Sequence, residues 1–324
     1  MKGHALSSQA AGAGMPPGLA GYAAYLLRRA YVLANRCAPD FDEAAEGAGS
    51  ARDFQVLDAL GEPGAAYSQQ DLGDRLGINR TTMVKLIDRF EAAGQVVRTR
   101  NPDDRRSYLL ALTEEGRAAL KAMDPAISAA DDKLTAGLSP AERERLGVLL
   151  AALLGRTAPP GAASGASGPA AAPAPDLAAP APDAAVPGPY RRTGALITQA
   201  HHLVRHRIEA ALADSGLQAR HFGALTVLAE GACSQQQLAR RLAISEQAVL
   251  QVVDDLEHAG HVARDRDPAD RRRYALRITD RGHAALRSAR AVVEATEAEL
   301  GTTLGEQGRA ELAGLLGTLL ATAP

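Results

Sequence analysis

Cysteine, tryptophan and lysine are scarce in this chain of 324 residues, and so are long apolar runs. Two cysteines, Cys37 and Cys233, are too few for a disulfide framework or a zinc knuckle. No stretch approaches the roughly 18 consecutive apolar residues that a membrane-spanning helix needs, and residues 1–18 lack the apolar run of a signal peptide. The net charge of −2 excludes a general binder of polyanions. We therefore expect a soluble, cytoplasmic protein with no membrane partner, in which any contact with nucleic acid comes from local patches.

A proline-rich segment divides the chain into two halves. Nine of the 18 prolines lie between Pro159 and Pro189, among residues that are mostly Ala, Gly and Ser. Such a composition buries too little apolar surface to offset the entropy lost on ordering. We therefore predict a disordered tail over 1–18, a first domain over 19–155, a linker over 156–189 and a second domain over 190–323.

The two halves are copies of one another. When the sequence is shifted by 166 residues, positions 72–120 align with 238–286 without a gap, and 22 of these 49 positions are identical. A duplication explains this agreement better than shared composition does, so both halves are expected to have the same fold.

The pattern within each copy predicts two short helices joined by a turn. In the first copy a helix runs from Arg52 to Leu60, and Ser68 with Asp71 forms a capping box for the next helix, which ends at Gly77. Asn79 then caps a further helix that Gly94 ends. The apolar positions of that helix are Met83, Val84, Leu86, Ile87 and Phe90, and those of its counterpart are Val249, Leu250, Val252, Val253 and Leu256.

A two-stranded ribbon and long helices complete the copy. The strands are expected over Val96–Arg100 and Ser107–Leu112, and Thr113 caps a long helix that Pro125 kinks or ends. A last helix begins at Ser139 and Pro140. The fold class is thus mainly α with small β wings: two winged helix-turn-helix units, each flanked by long helices of the dimerisation type. Because each unit alone exposes an apolar helical face, we expect the two units of one chain to pair as a pseudo-dimer. In solution this pseudo-dimer is expected either as a single chain or as a dimer of two chains.

The wing segments carry a family resemblance. DDRRSYLLALTEEG at 103–116 and ADRRRYALRITDRG at 269–282 resemble the wing of the multiple-antibiotic-resistance regulator (MarR) family, whose pattern is Asp-x-Arg followed by Leu-Thr and Gly. The second copy has Ile278 in place of that Leu, and the covalent tandem departs from a family of mostly single, homodimerising domains. The resemblance implies double-stranded DNA as the partner. It also implies a small aromatic or phenolic effector, for which Tyr22, Tyr25 and Tyr31 either line a cleft or pack in the core.

The predicted DNA contacts fall on the capped helix and on the wing. The N-terminal turns of such a helix enter the major groove, where Arg and Lys suit guanine, Asn and Gln suit adenine, and a Thr methyl group suits thymine. These positions are Asn79, Arg80, Thr81, Thr82 and Lys85 in the first copy and Ser245, Glu246, Gln247 and Gln251 in the second. By resemblance, Asp104 and Asp270 brace the wing, Arg106 and Arg272 enter the minor groove, and Arg105 and Arg271 contact phosphate. Arg98 is the remaining predicted wing contact.

The two copies differ in the charge of these elements. Residues 79–106 carry a net charge of +3, whereas the aligned residues 245–272 carry −3, and the helix SEQAVLQVVDDLEHAG has no Lys or Arg. The sequence thus predicts a DNA-binding transcriptional regulator, a repressor relieved by a small ligand, whose operator is asymmetric or an imperfect palindrome. The alternative is a ligand-binding or partner-binding regulator in which the second unit, or both, no longer binds DNA.

The sequence contains few candidates for a metal site or a catalytic site. His202 and His206 have the i, i+4 spacing of a divalent-metal pair, although histidines at this spacing more often line a helix face or a seam between subunits. The chain has no Walker loop, no Gly-x-Ser-x-Gly elbow and no His-Glu-x-x-His motif. We therefore expect no enzyme activity, no cofactor and no metal.

Overall fold

The computed structural model describes residues 15–38, 50–61, 65–101, 108–155, 192–266 and 274–322. Within these ranges, no helix has both the length and the apolar character needed to cross a membrane. The linker predicted over 156–189 lies outside the described residues. Of the disordered tail predicted over 1–18, residues 1–14 also lie outside the described residues. Residues 15–18 are ordered by contacts: Met15 is buried, and the Gly18 amide donates to Glu230 Oε1 at 2.7 Å. These contacts order the chain before its first helix, α1 (Ala23–Cys37).

The first winged helix follows the predicted order of elements. It consists of α2 (Ala51–Leu60), β1 (Tyr67–Ser68), α3 (Gln69–Leu76), α4 (Arg80–Ala92), β2 (Val96–Arg100), β3 (Tyr108–Leu112), α5 (Glu114–Leu134) and α6 (Pro140–Leu153). The predicted caps are confirmed at Ser68, Asn79, Thr113 and Ser139, and Gly77 ends α3 with a φ of +65°. The capping box of Ser68 and Asp71 joins each residue's side chain to the other's amide.

A three-stranded antiparallel sheet and a hydrophobic core hold these elements together. The strand order is β1-β3-β2, with Val96 opposite Leu112, Arg100 opposite Tyr108 and Tyr67 opposite Leu110. The two residues of β1 extend the two-stranded ribbon that the sequence predicts. The larger buried side chains of the core are Phe54, Leu57, Leu72, Leu76, Met83, Ile87, Phe90 and Leu110.

The second winged helix repeats this plan. Its long helix α7 (Thr193–Leu212) and a 3₁₀ turn (Ala213–Ser215) precede α8 (Ala219–Ala229), α9 (Gln235–Leu242), α10 (Glu246–His258), β4 (Val262–Arg266), β5 (Tyr274–Ile278) and α11 (Asp280–Ala321). Strands β4 and β5 pair as β2 and β3 do, and a single bridge from Cys233 to Leu276 replaces β1. Gly305, with a φ of +73°, divides α11 into the two helices that the sequence predicts.

The Thr-x-x-Gly part of the wing motif joins the ribbon to the helix after it. The hydroxyl of Thr113 donates to the Gly94 carbonyl at 2.6 Å and accepts from the Gly116 amide, and Thr279 makes the same pair of bonds to Gly260 and Gly282. A Cβ at Gly116 would lie 2.1 Å from the Gln95 carbonyl oxygen. Glycine is therefore required where the long helix crosses the end of α4.

One of the two outcomes expected at Pro125 is wrong. The proline does not end α5, since the helix continues from Glu114 to Leu134 with Pro125 inside it. Met123 is buried in the core, and Leu120 and Ile127 pack against it. The burial of this helix face outweighs the hydrogen bond that the proline removes.

The chain forms two compact units, each of which contains residues from both sequence copies. The unit that we call the first winged unit holds the described residues between 33 and 154 together with 192–203, and the second winged unit holds those between 15 and 32 together with 204–322. The N-terminal part of α7 therefore packs with the first winged helix, and most of α1 with the second. This exchange differs from the two contiguous domains that the linker suggests.

Candidate nucleic-acid interface

One face of α4 is polar and exposed along its N-terminal turns. Arg80, Thr81 and Lys85 are exposed, whereas the opposite face carries the buried Met83, Leu86, Ile87 and Phe90. Within the described part of the chain, no acidic side chain pairs with Arg80 or Lys85. The two cationic groups are therefore available to an anionic partner, in the turns that the sequence assigns to the major groove.

Asn79 and Thr82 are partly committed to the helix itself. The side-chain oxygen of Asn79 accepts the Thr82 amide at 2.9 Å, which is the N-cap bond of α4. A two-bond contact to adenine needs that oxygen and the amide NH₂ together. Asn79 thus keeps its NH₂ group and one lone pair of its oxygen for a base or a phosphate while the cap persists.

Arg98, a predicted wing contact, is directed at α4 instead. Its guanidinium pairs with Asp88 at 2.7 Å and with Glu91, and it contacts Gln69 at 3.4 Å. The side chain is 28% exposed. Strand β2 is thereby attached to α4, and little of the Arg98 charge is left free for another partner.

The same triad recurs in the second winged helix. Arg264 on β4 pairs with Asp254 and, at 3.1 Å, with Glu257 on α10. These three residues stand 166 positions after Arg98, Asp88 and Glu91. We call each set a wing pin, because it fixes the first wing strand to the helix that precedes it.

The exposed face of α10 offers no cation. Ser245 caps the helix through a 3.2 Å bond from the Ala248 amide, and Glu246 and Gln247 are exposed beside it. Gln251 donates to Asp255 at 2.8 Å. That bond is the main cause that holds the pKa of Asp255 below its usual value, and the nearby His221 adds to it. Asp255 therefore stays ionised, and α10 presents an acidic surface.

The wing tips contain the other predicted DNA contacts. Residues 102–107 and 267–273 lie outside the described residues, and so do the predicted positions Asp104, Arg105, Arg106, Asp270, Arg271 and Arg272. Their roles stay predictions.

Two apolar positions were placed wrongly by the helical pattern. Val84 is 37% exposed and Leu250 is 46% exposed, although both were assigned to the buried faces of their helices. Both side chains share the exposed stripe with the polar residues of the first two turns. Their repetition at one position of both copies was the available signal, but periodicity alone does not separate the edge of a buried stripe from its centre.

Residues of the exchanged helices contact the helix-turn-helix in each unit. In the first winged unit the His202 ring lies so close to Gly77 that a Cβ there would be 2.1 Å from Nδ1. In the second winged unit, the Tyr25 hydroxyl donates to the Arg241 carbonyl at 2.7 Å, and Arg28 donates to the Ala243 carbonyl at 3.3 Å. The turns before α4 and α10 are thus each in contact with a helix that begins in the other sequence copy.

The two histidines of the predicted metal pair have different surroundings. His202 packs against the turn at Gly77, and His206 is exposed on α7. Within the described ranges, no three His, Cys, Asp or Glu side chains lie close enough together to hold a metal ion.

Buried carboxylates cap the exchanged helices. Asp131 on α5 accepts the Thr193 and Gly194 amides of α7 at 2.9 and 2.7 Å, and Glu297 on α11 accepts the Ala23 and Ala24 amides of α1, both at 3.0 Å. Burial raises the pKa of both carboxyl groups, and the accepted amide bonds oppose that rise. Each carboxylate satisfies amides that a helix N-terminus otherwise leaves unpaired.

A cleft opens beside the capped end of α7 in the first winged unit. It encloses about 480 Å³, including its open mouth, and Asn35, Gln55, Ile127 and Thr198 are among the residues that line it. Arg192 also lines it, with its guanidinium 4.4 Å from the centre of the Phe54 ring and paired with Asp58 and Asp124.

In the second winged unit, Tyr22 occupies the position that corresponds to Arg192, against Phe222 in place of Phe54. Tyr22 meets the Phe222 ring edge-on at 5.7 Å, and its hydroxyl donates to Glu294 at 3.3 Å. Burial is the first cause that raises the pKa of Tyr22 to about 12. None of the three tyrosines predicted for a ligand cleft lines the described one, and Tyr25 is buried.

Comparison with known proteins identifies a single family. Residues 50–107 and 215–273 each match a family model described as "MarR family". The chain is 37% identical over 79 residues to a putative transcriptional regulatory protein for the hcr operon of Thauera aromatica, a match that covers 24% of this chain and 48% of that protein. The chain thus spans about half the length of this relative.

Other similar proteins are matched over more of their length. An HTH-type transcriptional repressor of Mycobacterium bovis is 33% identical over 108 residues, which are 33% of this chain and 78% of that protein. Among solved structures, CouR from Rhodococcus jostii RHA1 bound to p-coumaroyl-CoA is 29% identical with a TM-score of 0.32, over 33% of this chain and 76% of that one.

Proposed function

The chain belongs to the MarR family, and we propose that it is a transcriptional repressor that binds double-stranded DNA through two unequal winged helices. The observation that carries the proposal is the exposed face of α4, where Arg80 and Lys85 have no acidic partner among the described residues. Phosphate contacts of this kind provide most of the non-specific affinity for DNA, and base contacts in the major groove provide specificity.

The operator is proposed to be asymmetric or an imperfect palindrome. A homodimer presents two identical helices and selects a two-fold symmetric site. This chain presents Arg80, Thr81 and Lys85 in one copy and Glu246, Gln247 and Gln251 at the same positions in the other. The half-site beneath α4 therefore supplies most of the affinity.

The exchanged helices support a pseudo-dimer formed within one chain. The first winged unit contains the start of α7, capped by Asp131, and the second contains the start of α1, capped by Glu297. Neither sequence copy completes its own unit. The linker keeps the copies together at an effective concentration of roughly millimolar, which favours pairing within the chain.

A small aromatic or phenolic effector is proposed to bind the cleft of the first winged unit. The cleft is open to solvent, and its lining combines apolar walls with a few polar groups, as ligand pockets do. Phe54, Ile127 and Leu134 provide apolar walls, and Asn35 and Thr198 provide polar groups. Because α7 lines this cleft and also contacts the turn at Gly77, an effector there would act on the position of α4.

Selection of sites from random DNA, followed by binding titrations, tests the proposed function. We expect the full chain to enrich one asymmetric site, and Lys85→Ala to weaken binding and lower the salt dependence by about one charge. Gln251→Ala is the matched variant at the aligned position of the second copy, and it should leave the salt dependence unchanged. Failure to enrich any sequence would contradict the proposal.

The alternative is a ligand-binding or partner-binding regulator in which the second unit, or both, no longer binds DNA. The acidic surface of α10 favours it, since the exposed Glu246 at the start of that helix repels phosphate. A footprint that covers a single half-site, together with no effect of substitutions on α10, would support this alternative. A footprint over two half-sites about one helical turn apart would support the proposed function.

A further inference from the structure

Two apolar side chains are exposed at the same position of both recognition helices. Among the described residues, the large hydrophobic side chains that are exposed are Val84, Val97, Tyr108 and Leu250. Val84 and Leu250 are 166 positions apart, which is the spacing of the two sequence copies. Their neighbours on the buried faces of these helices, Met83 and Val249, are at most 1% exposed.

Val84 lies on the exposed side of the first two turns of α4, at the edge that adjoins the buried stripe. Arg80 lies one helical turn before it on the same stripe, and Thr81 and Lys85 lie on the adjacent stripe. All three are exposed. Asp88, one turn further along, is held by Arg98 in the wing pin. The cationic part of the face thus ends between Lys85 and Asp88, and Val84 lies within it.

An apolar group at this position in both copies suits a partner of matching chemistry. The major groove presents hydrogen-bond donors and acceptors from every base pair, and its apolar feature is the C5-methyl group of thymine. We propose that Val84 contacts a thymine methyl group in the first half-site and that Leu250 does so in the second. The inference rests on the proposed function, and it assigns a sequence preference to two residues that the helical pattern assigns to the core.

The two residues contribute unequally to their half-sites. The first helix has Arg80 and Lys85 beside its apolar group, whereas Glu246 and Gln251 stand beside Leu250. Leu250 is also larger and more exposed than Val84. Thymine preference therefore makes up a greater share of base recognition in the second half-site than in the first.

Deoxyuridine, which differs from thymidine only by the missing methyl group, provides the test. Once a site has been selected with the full chain, each thymine in it is replaced singly, and the dissociation constant is measured by fluorescence anisotropy. The proteins are the wild type, Val84→Ala, Leu250→Ala and the control Val97→Ala, which removes an equally exposed valine from β2. Thermal unfolding checks that each variant is folded.

We expect one thymine in each half-site at which deoxyuridine weakens wild-type binding about 3- to 5-fold, as loss of one buried methyl contact predicts. Val84→Ala should abolish this effect in the first half-site, Leu250→Ala in the second, and Val97→Ala in neither. Equal deoxyuridine effects in wild type and variant would overturn the assignment of that residue. If a site is selected but every thymine tolerates the replacement, the methyl contacts are wrong and DNA binding stands. If no site is selected, both proposals fail.

Discussion

Replacing Asp131 with alanine should destabilise the first winged unit more than any change to an exposed acid of the same helix. The carboxylate accepts two backbone amides of α7, at 2.9 and 2.7 Å, and its residue is only 9% exposed. Alanine leaves both amides without an acceptor, and Thr193, which donates one of them, is buried. The perturbation therefore acts on the contact that joins the start of α7 to α5.

The size of the effect follows from the two bonds. A hydrogen bond to a charged acceptor contributes about 1.5–3 kcal/mol, and an unsatisfied buried amide costs about 1–3 kcal/mol. The desolvation of the carboxylate, which raises its pKa, offsets part of this gain. We therefore expect Asp131→Ala to lower the free energy of unfolding by about 2–4 kcal/mol.

Urea denaturation followed by circular dichroism measures the loss. Glu297→Ala removes the equivalent cap in the second winged unit and should cost a similar amount. Asp132→Ala is the matched control, because Asp132 is 68% exposed and forms a surface ion pair with Arg143. Such pairs contribute about 0–1 kcal/mol. Equal losses for Asp131→Ala and Asp132→Ala would refute the role of the buried cap.

The same site predicts a pH dependence with a definite sign. Burial raises the pKa of Asp131 in the native state above the unfolded value of about 3.9. The stability that this group contributes is therefore complete below about pH 4 and is lost as the pH rises through the native pKa. Between about pH 4 and the native pKa, the free energy of unfolding of the wild type should therefore fall relative to that of the non-titrating variant Asp131→Asn. A wild-type advantage that grows with pH would show that the amide bonds outweigh desolvation.

Three further predictions concern DNA binding and assembly. Arg98→Ala should weaken binding without changing the slope of log Kd against log salt, because Arg98 holds the wing to α4 through Asp88 and Glu91; a slope reduced by about one charge would reassign it to phosphate. Arg106→Ala should cost on the order of 1–3 kcal/mol of binding free energy and exceed the loss for Arg272→Ala in the same anisotropy titrations; equal losses would refute the asymmetry. Light scattering should give the single-chain mass of 33.7 kDa, whereas twice that mass would indicate pairing between chains or dimers of pseudo-dimers.

The elements that the sequence predicts best are those with local causes. The caps at Ser68, Asn79 and Ser139 depend on hydrogen bonds to residues three positions away, and each is present in the structure. The internal repeat extends such predictions to the second copy, where Ser234 and Gln237 form the same capping box.

Contacts between distant residues limit prediction of the site. Arg98 was assigned to DNA from its charge and its place on the wing, but its partners Asp88 and Glu91 are determined by how β2 crosses α4. Asp131 lies 62 residues from Thr193, and no periodicity links them. Val84 stands next to Met83 at the edge of the buried stripe, where the direction of the side chain depends on the packing of the whole helix.

Positions with the same residue in both copies have a different role from positions where the residues differ. Each residue of the wing pin is identical in both copies, as are the Thr and Gly that join the ribbon to the next helix. None of positions 79–82, 84 and 85 is identical to its counterpart. The identical residues bond to other residues of the protein, and the differing ones face outward from α4 and α10. The duplicated fold thus holds α4 and α10 in the same local geometry, so a difference between the two proposed half-sites has to arise from side-chain chemistry.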